Sequence, residues 1–288
     1  MFISLDSSKW VRKGTMAKLI EMKSPHGLRK LRALSTHDAE DWSNLGRKAL
    51  CIMSITGGAG KTSLTVNLGR ILAQQGRRVL LIDTAPHGLL PFHFGAKETK
   101  AGQVQLVAEG AGSLRLMKLD VPKGSAYAAS DTWVRDLILR ETLPGEYVLI
   151  DMNTPPSWLT WQILRVSESV LIPLMPDMST LLSLRRIERY FDFCEFSEES
   201  GRPPYFAVFN QFDPDISFHR HVKAEARNYL GSRLIPVTLC RDARISQSLP
   251  GERNWMERYP ASALLRDYQR LAHWMQGLES SAREVADF

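Results

Sequence analysis

The chain alternates short, strongly apolar runs with longer stretches whose apolar residues recur at helical spacing. Most of the short runs have the continuous apolar character of strands that are buried on both faces, and one, Ser113–Leu119, alternates apolar and polar residues. The continuous runs are Ala49–Met53, Arg78–Asp83, Glu146–Asp151, Ser169–Met175, Tyr205–Asn210 and Arg233–Cys240. The helical stretches are Leu64–Gln75, Ser130–Leu139, Leu181–Phe193 and Leu264–Leu278. This alternation predicts an α/β fold with a doubly wound, mostly parallel sheet.

The last helical stretch has apolar residues along one side, among them Leu265, Tyr268 and Leu271. Such a stripe predicts a helix that covers the core, although a membrane-surface helix has the same periodicity. A membrane-surface helix would be followed by basic residues, whereas Glu279 and Glu284 follow here. We therefore expect core packing.

A glycine-rich segment, S-I-T-G-G-A-G-K-T-S-L at residues 54–64, joins the first apolar run to the first helix. The backbone N–H groups of such a turn and the positive end of the following helix converge on one anion, so the segment predicts a phosphate-binding P-loop. Lys61 can reach the terminal phosphates, and the Thr62 hydroxyl can bind Mg²⁺. The predicted nucleotide-binding residues of this segment are Gly57, Gly58, Ala59, Gly60, Lys61, Thr62 and Ser63.

Two aspartates, Asp83 and Asp151, stand at the ends of apolar runs. The carboxyl ends of parallel strands meet at the sheet edge that carries ligand sites, so both should lie near the P-loop. Each aspartate alone fits a helix cap or a turn equally well. Together with the P-loop they favour a Mg²⁺ site formed by Thr62, Asp83 and Asp151.

The composition is typical of a globular protein and argues against a membrane-spanning, zinc-binding or disulfide-rich protein. The 288 residues are 44% hydrophobic and 24% charged, which is ordinary for a globular protein. No apolar run approaches the roughly 18 residues of a membrane span, and the N-terminus lacks the apolar core of a signal peptide, so we expect a cytoplasmic protein. The cysteines Cys51, Cys194 and Cys240 are scattered, which argues against zinc and against a disulfide framework.

The charge is concentrated at the N-terminus. Ten Lys/Arg and five Asp/Glu lie between Met1 and Lys48, which accounts for +5 of the net charge of +6. The nearly neutral remainder makes DNA an unlikely ligand. We predict a basic extension at residues 1–47 and a P-loop domain at residues 48–288. The extension could be a loosely packed leader, a docking segment, or a surface for anionic lipid or DNA.

The P-loop resembles that of the deviant-Walker, ParA/MinD-like NTPases, K-G-G-x-G-K-[ST], with Thr56 in place of the signature lysine. In that family the lysine reaches the nucleotide of a dimer partner. Residues 84–88, T-A-P-H-G, resemble the family's D-x-D-P-Q-G segment, with Ala85 in place of the aspartate that orients the attacking water. The resemblance implies ATP and Mg²⁺ as cofactors, a homodimer across the nucleotide, and an adenine contact from Asn210. It assigns a catalytic role to no residue of this sequence.

Within the family, the sequence most resembles the cellulose-secretion branch typified by BcsQ (YhjQ). The likeness lies in Thr56, in D-T-A-P-H-G-L-L at residues 83–90, and in L-I-P-V-T-L-C-R-D-A at residues 234–243. It implies a scaffold or regulatory subunit of a cellulose synthase complex at the cytoplasmic face of the inner membrane, with slow or absent ATP hydrolysis. Two other hypotheses remain: a cycling ParA/MinD-type ATPase that positions DNA or a large complex, and an interaction module that binds no nucleotide.

Overall fold

A sheet of eight strands runs through the described part of the chain, in the order β3-β4-β2-β5-β1-β6-β7-β8. The computed structural model describes residues 48–54, 56–85, 88–96, 103–119, 132–152, 157–193, 196, 201–243 and 254–286. The strands are β1 (Lys48–Ile52), β2 (Arg78–Asp83), β3 (Val104–Glu109), β4 (Ser113–Lys118), β5 (Tyr147–Asp151), β6 (Ser169–Leu174), β7 (Tyr205–Phe212) and β8 (Leu234–Cys240). Neighbouring strands are parallel except β3 and β4, which are antiparallel. The predicted doubly wound, mostly parallel α/β sheet is confirmed.

Helices cover both faces of this sheet. They are α1 (Lys61–Gln74), α2 (Leu90–His93), α3 (Trp133–Glu141), α4 (Trp158–Val166), α5 (Met178–Phe193), α6 (Ser217–Leu230), α7 (Trp255–Arg258) and α8 (Ala263–Ala286), with a 3₁₀ turn at Gly231–Arg233. Helices α3, α4, α5 and α6 share one hydrophobic core, and α1, α7 and α8 share the other.

The two cores follow from the alternation of side chains along each strand. In β1, for example, Ala49 and Cys51 face the α3–α6 layer, while Leu50 and Ile52 face the layer of α1 and α8. Strands that are buried on both faces need an apolar residue at nearly every position, which explains their continuous apolar runs.

Helix α8 is held against the P-loop helix α1, and the predicted core packing of this helix is confirmed. Its residues Leu264, Leu265, Tyr268, Leu271, Ala272 and Met275 are buried. The Tyr268 hydroxyl accepts a hydrogen bond from Asn67 Nδ2 at 3.2 Å, and Asn67 Oδ1 accepts one from the Trp255 indole at 3.0 Å. Within the described residues, we find no helix that combines the length and the apolar character of a membrane span.

Several elements differ from the sequence prediction. The edge strand β3 and the helices α4 and α6 were not predicted, and α8 extends beyond its predicted end at Leu278. The predicted helix Ser130–Leu139 is observed as Trp133–Glu141, and the predicted strand Tyr205–Asn210 extends to Phe212. The N-terminal extension at residues 1–47 lies outside the described residues, so its proposed roles and the predicted domain boundary stay predictions.

Candidate nucleotide-binding site

The predicted site lies at the carboxyl edge of the sheet, where the P-loop connects β1 to α1. The parallel register aligns Ile52 of β1 with Asp151 of β5, and Asp151 with Asp83 of β2. The ends of these three neighbouring strands are therefore level. The sheet brings both predicted aspartates beside the start of the P-loop, as the sequence predicts.

The loop backbone depends on two glycines in the left-handed region. Gly58 has φ 75° and Gly60, which precedes α1, has φ 89°; side chains rarely adopt such values. Gly60 is also required by a close contact, because a Cβ there would lie 2.2 Å from Asn210 Nδ2. A Cβ at Gly57 or Gly58 would meet nothing within 4 Å, so this part of the loop borders open space.

Lys61, the first residue of α1, lies over the loop. Its Nζ donates a hydrogen bond to Ser54 Oγ at 3.2 Å, and Ser54 Oγ donates to the Thr56 carbonyl at 2.7 Å. Partial burial lowers the pKa of Lys61, and the charge of Asp151 acts in the opposite direction. A bound anion would favour the charged ammonium further, which fits a lysine that binds phosphate.

Thr62 and Asp151 are in direct contact. The Thr62 hydroxyl donates to Asp151 Oδ2 at 2.6 Å, and the Asp151 side chain is almost fully buried. The Asp151 carbonyl accepts hydrogen bonds from both the backbone N–H and the hydroxyl of Thr84. These contacts fix the end of β5 against the segment that follows β2.

Asp83 is anchored by the segment that follows it. Its Oδ1 accepts a hydrogen bond from the Ala85 N–H at 2.9 Å, and its Oδ2 accepts one from the Leu90 N–H at 3.3 Å. Burial raises the pKa of Asp83, although these two hydrogen bonds and the charge of Lys118 oppose the change. The carboxylate thus holds the backbone of Ala85 and Leu90 while it lies beside Asp151.

Asn210, at the end of β7, contacts the P-loop itself. Its Nδ2 donates to the Ala59 carbonyl at 2.9 Å, and its Oδ1 accepts the Gln211 N–H at 3.0 Å. Gln211 has φ 53°, a left-handed value that turns the chain at this point. The structure therefore gives Asn210 a role in holding the loop, and the predicted adenine contact stays a prediction.

The residues present fit a Mg²⁺–nucleotide complex. Mg²⁺ is usually held by a hydroxyl or one or two carboxylates together with phosphate oxygens and water. Thr62, Asp151 and Asp83 provide such a set, and no group of three or more His, Cys, Asp or Glu in the described residues forms an alternative metal site. Open space beside Gly57 and Gly58 leaves room for phosphate oxygens next to Lys61.

Sequence reasoning missed three contributors to this geometry. Ser54 bonds to Lys61 and Thr84 bonds to the Asp151 carbonyl, and no local sequence motif predicts either hydrogen bond. Gly88 lies against Asp83, because a Cβ there would be 2.0 Å from Asp83 Oδ2. A glycine following a strand-end aspartate could have suggested this close approach, but it did not show which atom would be approached. Pro86, His87 and residues 153–156 lie outside the described residues.

The chain is similar to known proteins in sequence and in fold. The Caulobacter vibrioides chromosome partitioning protein ParA is 27% identical over 223 residues, which cover 70% of this chain and 83% of that protein. The structure of Cyanothece McdA in complex with ATP aligns with a TM-score of 0.66 at 18% identity, covering 80% of this chain and 97% of the other. Pyrococcus furiosus MinD aligns with a TM-score of 0.58 at 17% identity, covering 80% and 99%.

A family model gives the assignment. The model described as CbiA, the CobQ/CobB/MinD/ParA nucleotide binding domain, matches residues 50–252. This range begins in β1 and contains the P-loop, Asp83, Asp151 and Asn210. The chain belongs to the CobQ/CobB/MinD/ParA family of nucleotide-binding domains.

Proposed function

We propose that the protein is an ATP-binding switch that dimerises across the nucleotide and hydrolyses ATP slowly or not at all. One observation supports this proposal: a P-loop in which Lys61 bonds to Ser54 and Thr62 bonds to Asp151 lies beside Ala85, which stands where the family has a carboxylate. The site can hold its ligand but lacks a group that would promote hydrolysis.

The binding roles follow from the contacts. The loop N–H groups and Lys61 would hold the phosphates, and Thr62, Asp83 and Asp151 would hold Mg²⁺. When bound, Mg²⁺-ATP supplies a phosphoanhydride whose γ-phosphate distinguishes the two states of a switch. Because Asp83 also accepts hydrogen bonds from the Ala85 and Leu90 N–H groups, a change at the metal site would be transmitted to the 84–90 segment.

Slow hydrolysis follows from two side chains. The methyl group of Ala85 cannot accept a hydrogen bond from an attacking water, and its backbone N–H is already donated to Asp83. Thr56 is neutral, so it cannot supply positive charge to a partner's nucleotide in the way the family's signature lysine does. We therefore expect turnover far below the median enzyme value of about 10 s⁻¹.

The decisive experiment measures mass by light scattering in Mg²⁺-ATP over several hours, beside an ADP control and a phosphate-release assay. A dimer that forms with ATP and persists, together with slow release, is expected. A dimer that decays as ATP is consumed would point to a cycling ATPase. A monomer in every nucleotide would overturn the proposed dimer.

Restoring the missing carboxylate tests the cause of slow hydrolysis. Ala85→Asp should raise the rate of phosphate release if the water-orienting group is the only deficiency, and Ala85→Asn controls for the size and polarity of the new side chain. An unchanged rate in Ala85→Asp would place the deficiency at Thr56 or in a missing activator.

We further propose that this switch serves a cellulose synthesis and secretion complex, bound through its partners at the cytoplasmic face of the inner membrane. Support comes from the resemblance at residues 83–90 and 234–243. The test is co-purification of tagged protein with cellulose synthase subunits from a cellulose-producing host, with Lys61→Ala as the nucleotide-binding control. Absence of those subunits from both preparations would remove the cellulose assignment and leave the switch untouched.

A second candidate is a cycling ATPase that partitions DNA or positions a large complex. It is favoured by the relatives themselves, since the Caulobacter protein is named for chromosome partitioning. Under this alternative, ATP-dependent, salt-sensitive retention of DNA and stimulated hydrolysis should both be observed. A nucleotide-free interaction module, the third hypothesis, requires that Lys61→Ala leave partner binding unchanged and that ATP produce no dimer.

A further inference from the structure

Helices α5 and α6 present an outer surface that combines exposed apolar side chains with arginines. On α5, Leu184, Ile187 and Phe191 are buried against the sheet, and the opposite stripe carries Leu182, which is 61% exposed, followed by arginines. The two helices pack side by side, and the Tyr229 hydroxyl of α6 donates to Glu188 of α5. We call this outer surface the α5–α6 face; it comprises the α5 residues Leu182, Arg185, Arg186 and Arg189 together with Tyr229 of α6, which reaches α5 through Glu188.

Among the described residues, the arginines of this face have no acidic partner. Arg185, Arg186 and Arg189 are all exposed, and none of their side chains forms an ion pair or hydrogen bond with a residue that the structure describes.

Among the described residues of α5, both carboxylates already have partners. Glu188 accepts hydrogen bonds from Tyr205, Tyr229 and Arg233, and Asp192 pairs with Arg202 at 3.2 Å. On α6, Glu225 is the remaining acidic side chain. The face therefore has a surplus of positive charge even though the body of the chain is nearly neutral, and a negatively charged partner would complement it.

The side chains that accompany the charge indicate the class of partner. Arginine and aromatic residues are enriched in the buried centres of protein–protein interfaces, and lysine is depleted there. The α5–α6 face follows this composition, because Tyr229 is 39% exposed and lies beside three arginines. The lysine on these helices, Lys223, instead lies over the Phe212 ring with 5.1 Å between Nζ and the ring centroid.

Nucleic acid would use the arginines but gain little from the apolar side chains between them, because phosphate contacts dominate its binding. A carboxylate-bearing helix would use both, since the arginine fork matches a carboxylate with two parallel hydrogen bonds and apolar residues can pack between such pairs. The chain's own N-terminal extension carries net positive charge and would be repelled.

We infer that the α5–α6 face is a docking surface for an acidic amphipathic helix of a partner protein. The inference goes beyond the proposed nucleotide switch and does not depend on it, since no residue of the face belongs to the candidate nucleotide-binding site.

The test uses defined probes with the full-length protein at about 150 mM salt, where long-range attraction between exposed charges is largely screened. Fluorescence anisotropy compares a 20-residue helical peptide of Glu and Leu with two comparison peptides, one with Gln for Leu and one with Lys for Glu. A 30-base-pair DNA duplex and vesicles of phosphatidylglycerol and phosphatidylcholine complete the set. We expect the Glu/Leu peptide to bind at least about tenfold more tightly than either comparison peptide.

Three variants locate the binding. Arg185→Glu/Arg189→Glu should weaken peptide binding at least about tenfold, whereas Arg77→Glu/Arg241→Glu, which changes the net charge equally on exposed residues elsewhere, should leave it within about threefold. Leu182→Gln removes apolar surface without changing charge. It should weaken binding of the Glu/Leu peptide and leave binding of DNA and vesicles unchanged. Circular dichroism checks folding, and Leu182→Gln keeps the test valid if the charge-reversal variant unfolds.

Three results would overturn the inference. The Glu/Leu peptide could bind no better than its comparisons, or both charge-reversal variants could weaken it equally, which would indicate general attraction. DNA or vesicles could bind in a manner that needs Arg185 and Arg189 but not Leu182, which would show that the face binds the phosphate groups of nucleic acid or lipid. Because every measurement is made without nucleotide, failure here is separate from failure of the ATP switch.

Discussion

The contact between Gly88 and Asp83 predicts a large effect from adding one methyl group. In Gly88→Ala the new Cβ would lie 2.0 Å from Asp83 Oδ2, 2.5 Å from Cγ and 3.0 Å from Oδ1. Asp83 is 1% exposed, and each of its oxygens accepts a backbone hydrogen bond. The carboxylate can therefore move away only by losing the bond to Leu90 or by displacing its neighbours.

The magnitude follows from three contributions. Overpacking costs about 1–3 kcal/mol, and a lost hydrogen bond to a charged group costs about 1.5–3 kcal/mol. Replacing glycine by alanine lowers the conformational entropy of the unfolded chain, which stabilises the folded state by about 0.4–1 kcal/mol. Gly88→Ala should lower the free energy of unfolding by about 3 kcal/mol, measured by urea denaturation, and should also weaken Mg²⁺-ATP binding because Asp83 is displaced.

Two comparisons isolate the cause. At Gly110 a Cβ would meet nothing within 4 Å, so Gly110→Ala should leave the free energy of unfolding unchanged or raise it slightly. In an Asp83→Ala background the clashing carboxylate is absent, so adding Gly88→Ala should cost less than about 1 kcal/mol. An equal cost in the wild-type and Asp83→Ala backgrounds would refute the steric explanation.

Three other substitutions test separate parts of the structure. Lys61→Ala should remove most of the roughly 2.7 kcal/mol by which ATP at a hundred times its dissociation constant stabilises the fold, measured as a melting shift with and without ATP. Tyr268→Phe leaves the buried Asn67 Nδ2 without its acceptor and should cost about 1–3 kcal/mol in urea unfolding, whereas a loss below 0.5 kcal/mol, roughly the scatter among surface variants, would contradict the importance of this link. Partial burial acts to raise the pKa of Glu188, but hydrogen bonds from Tyr229, Tyr205 and Arg233 outweigh it and the pKa is lowered from its usual 4.5. The stability that Glu188 contributes is thus present above its unfolded pKa and lost as pH falls through the lower folded value, so Glu188→Gln should destabilise at pH 7 and the difference should shrink as the pH falls below the unfolded pKa.

The sheet and the P-loop were predictable because their determinants are local. A buried parallel strand needs a continuous apolar run, and a phosphate-binding turn needs glycines between a strand and a helix. The register of β2 and β5 then aligns Asp83 with Asp151 without further information, because both stand at strand ends. Sequence reasoning therefore located the parts of the candidate site that come from the ends of elements.

Other elements left weak signals. Helix α6 buries Val222, Ala226 and Leu230 against the sheet. This apolar stripe is so narrow that periodicity in the sequence does not distinguish the helix from a polar loop. The edge strand β3 is exposed at Leu106 and pairs on one side only, so its sequence lacks the continuous apolar character of the central strands. The bond from Asn210 to the Ala59 carbonyl joins residues 151 positions apart, and no local pattern encodes it.

The α5–α6 face shows why net charge was a poor guide to binding surfaces. A sum over the chain cancels acidic and basic side chains wherever they lie, but binding depends on which charges remain unpaired at one place. Glu188 accepts a hydrogen bond from Tyr229, and Asp192 forms an ion pair with Arg202, so neither carboxylate pairs with Arg185 or Arg189. Helical periodicity alone places Leu182 and these arginines on one side of α5. Only the contacts in the structure show that the described carboxylates of this helix do not neutralise the positive charge of the arginines.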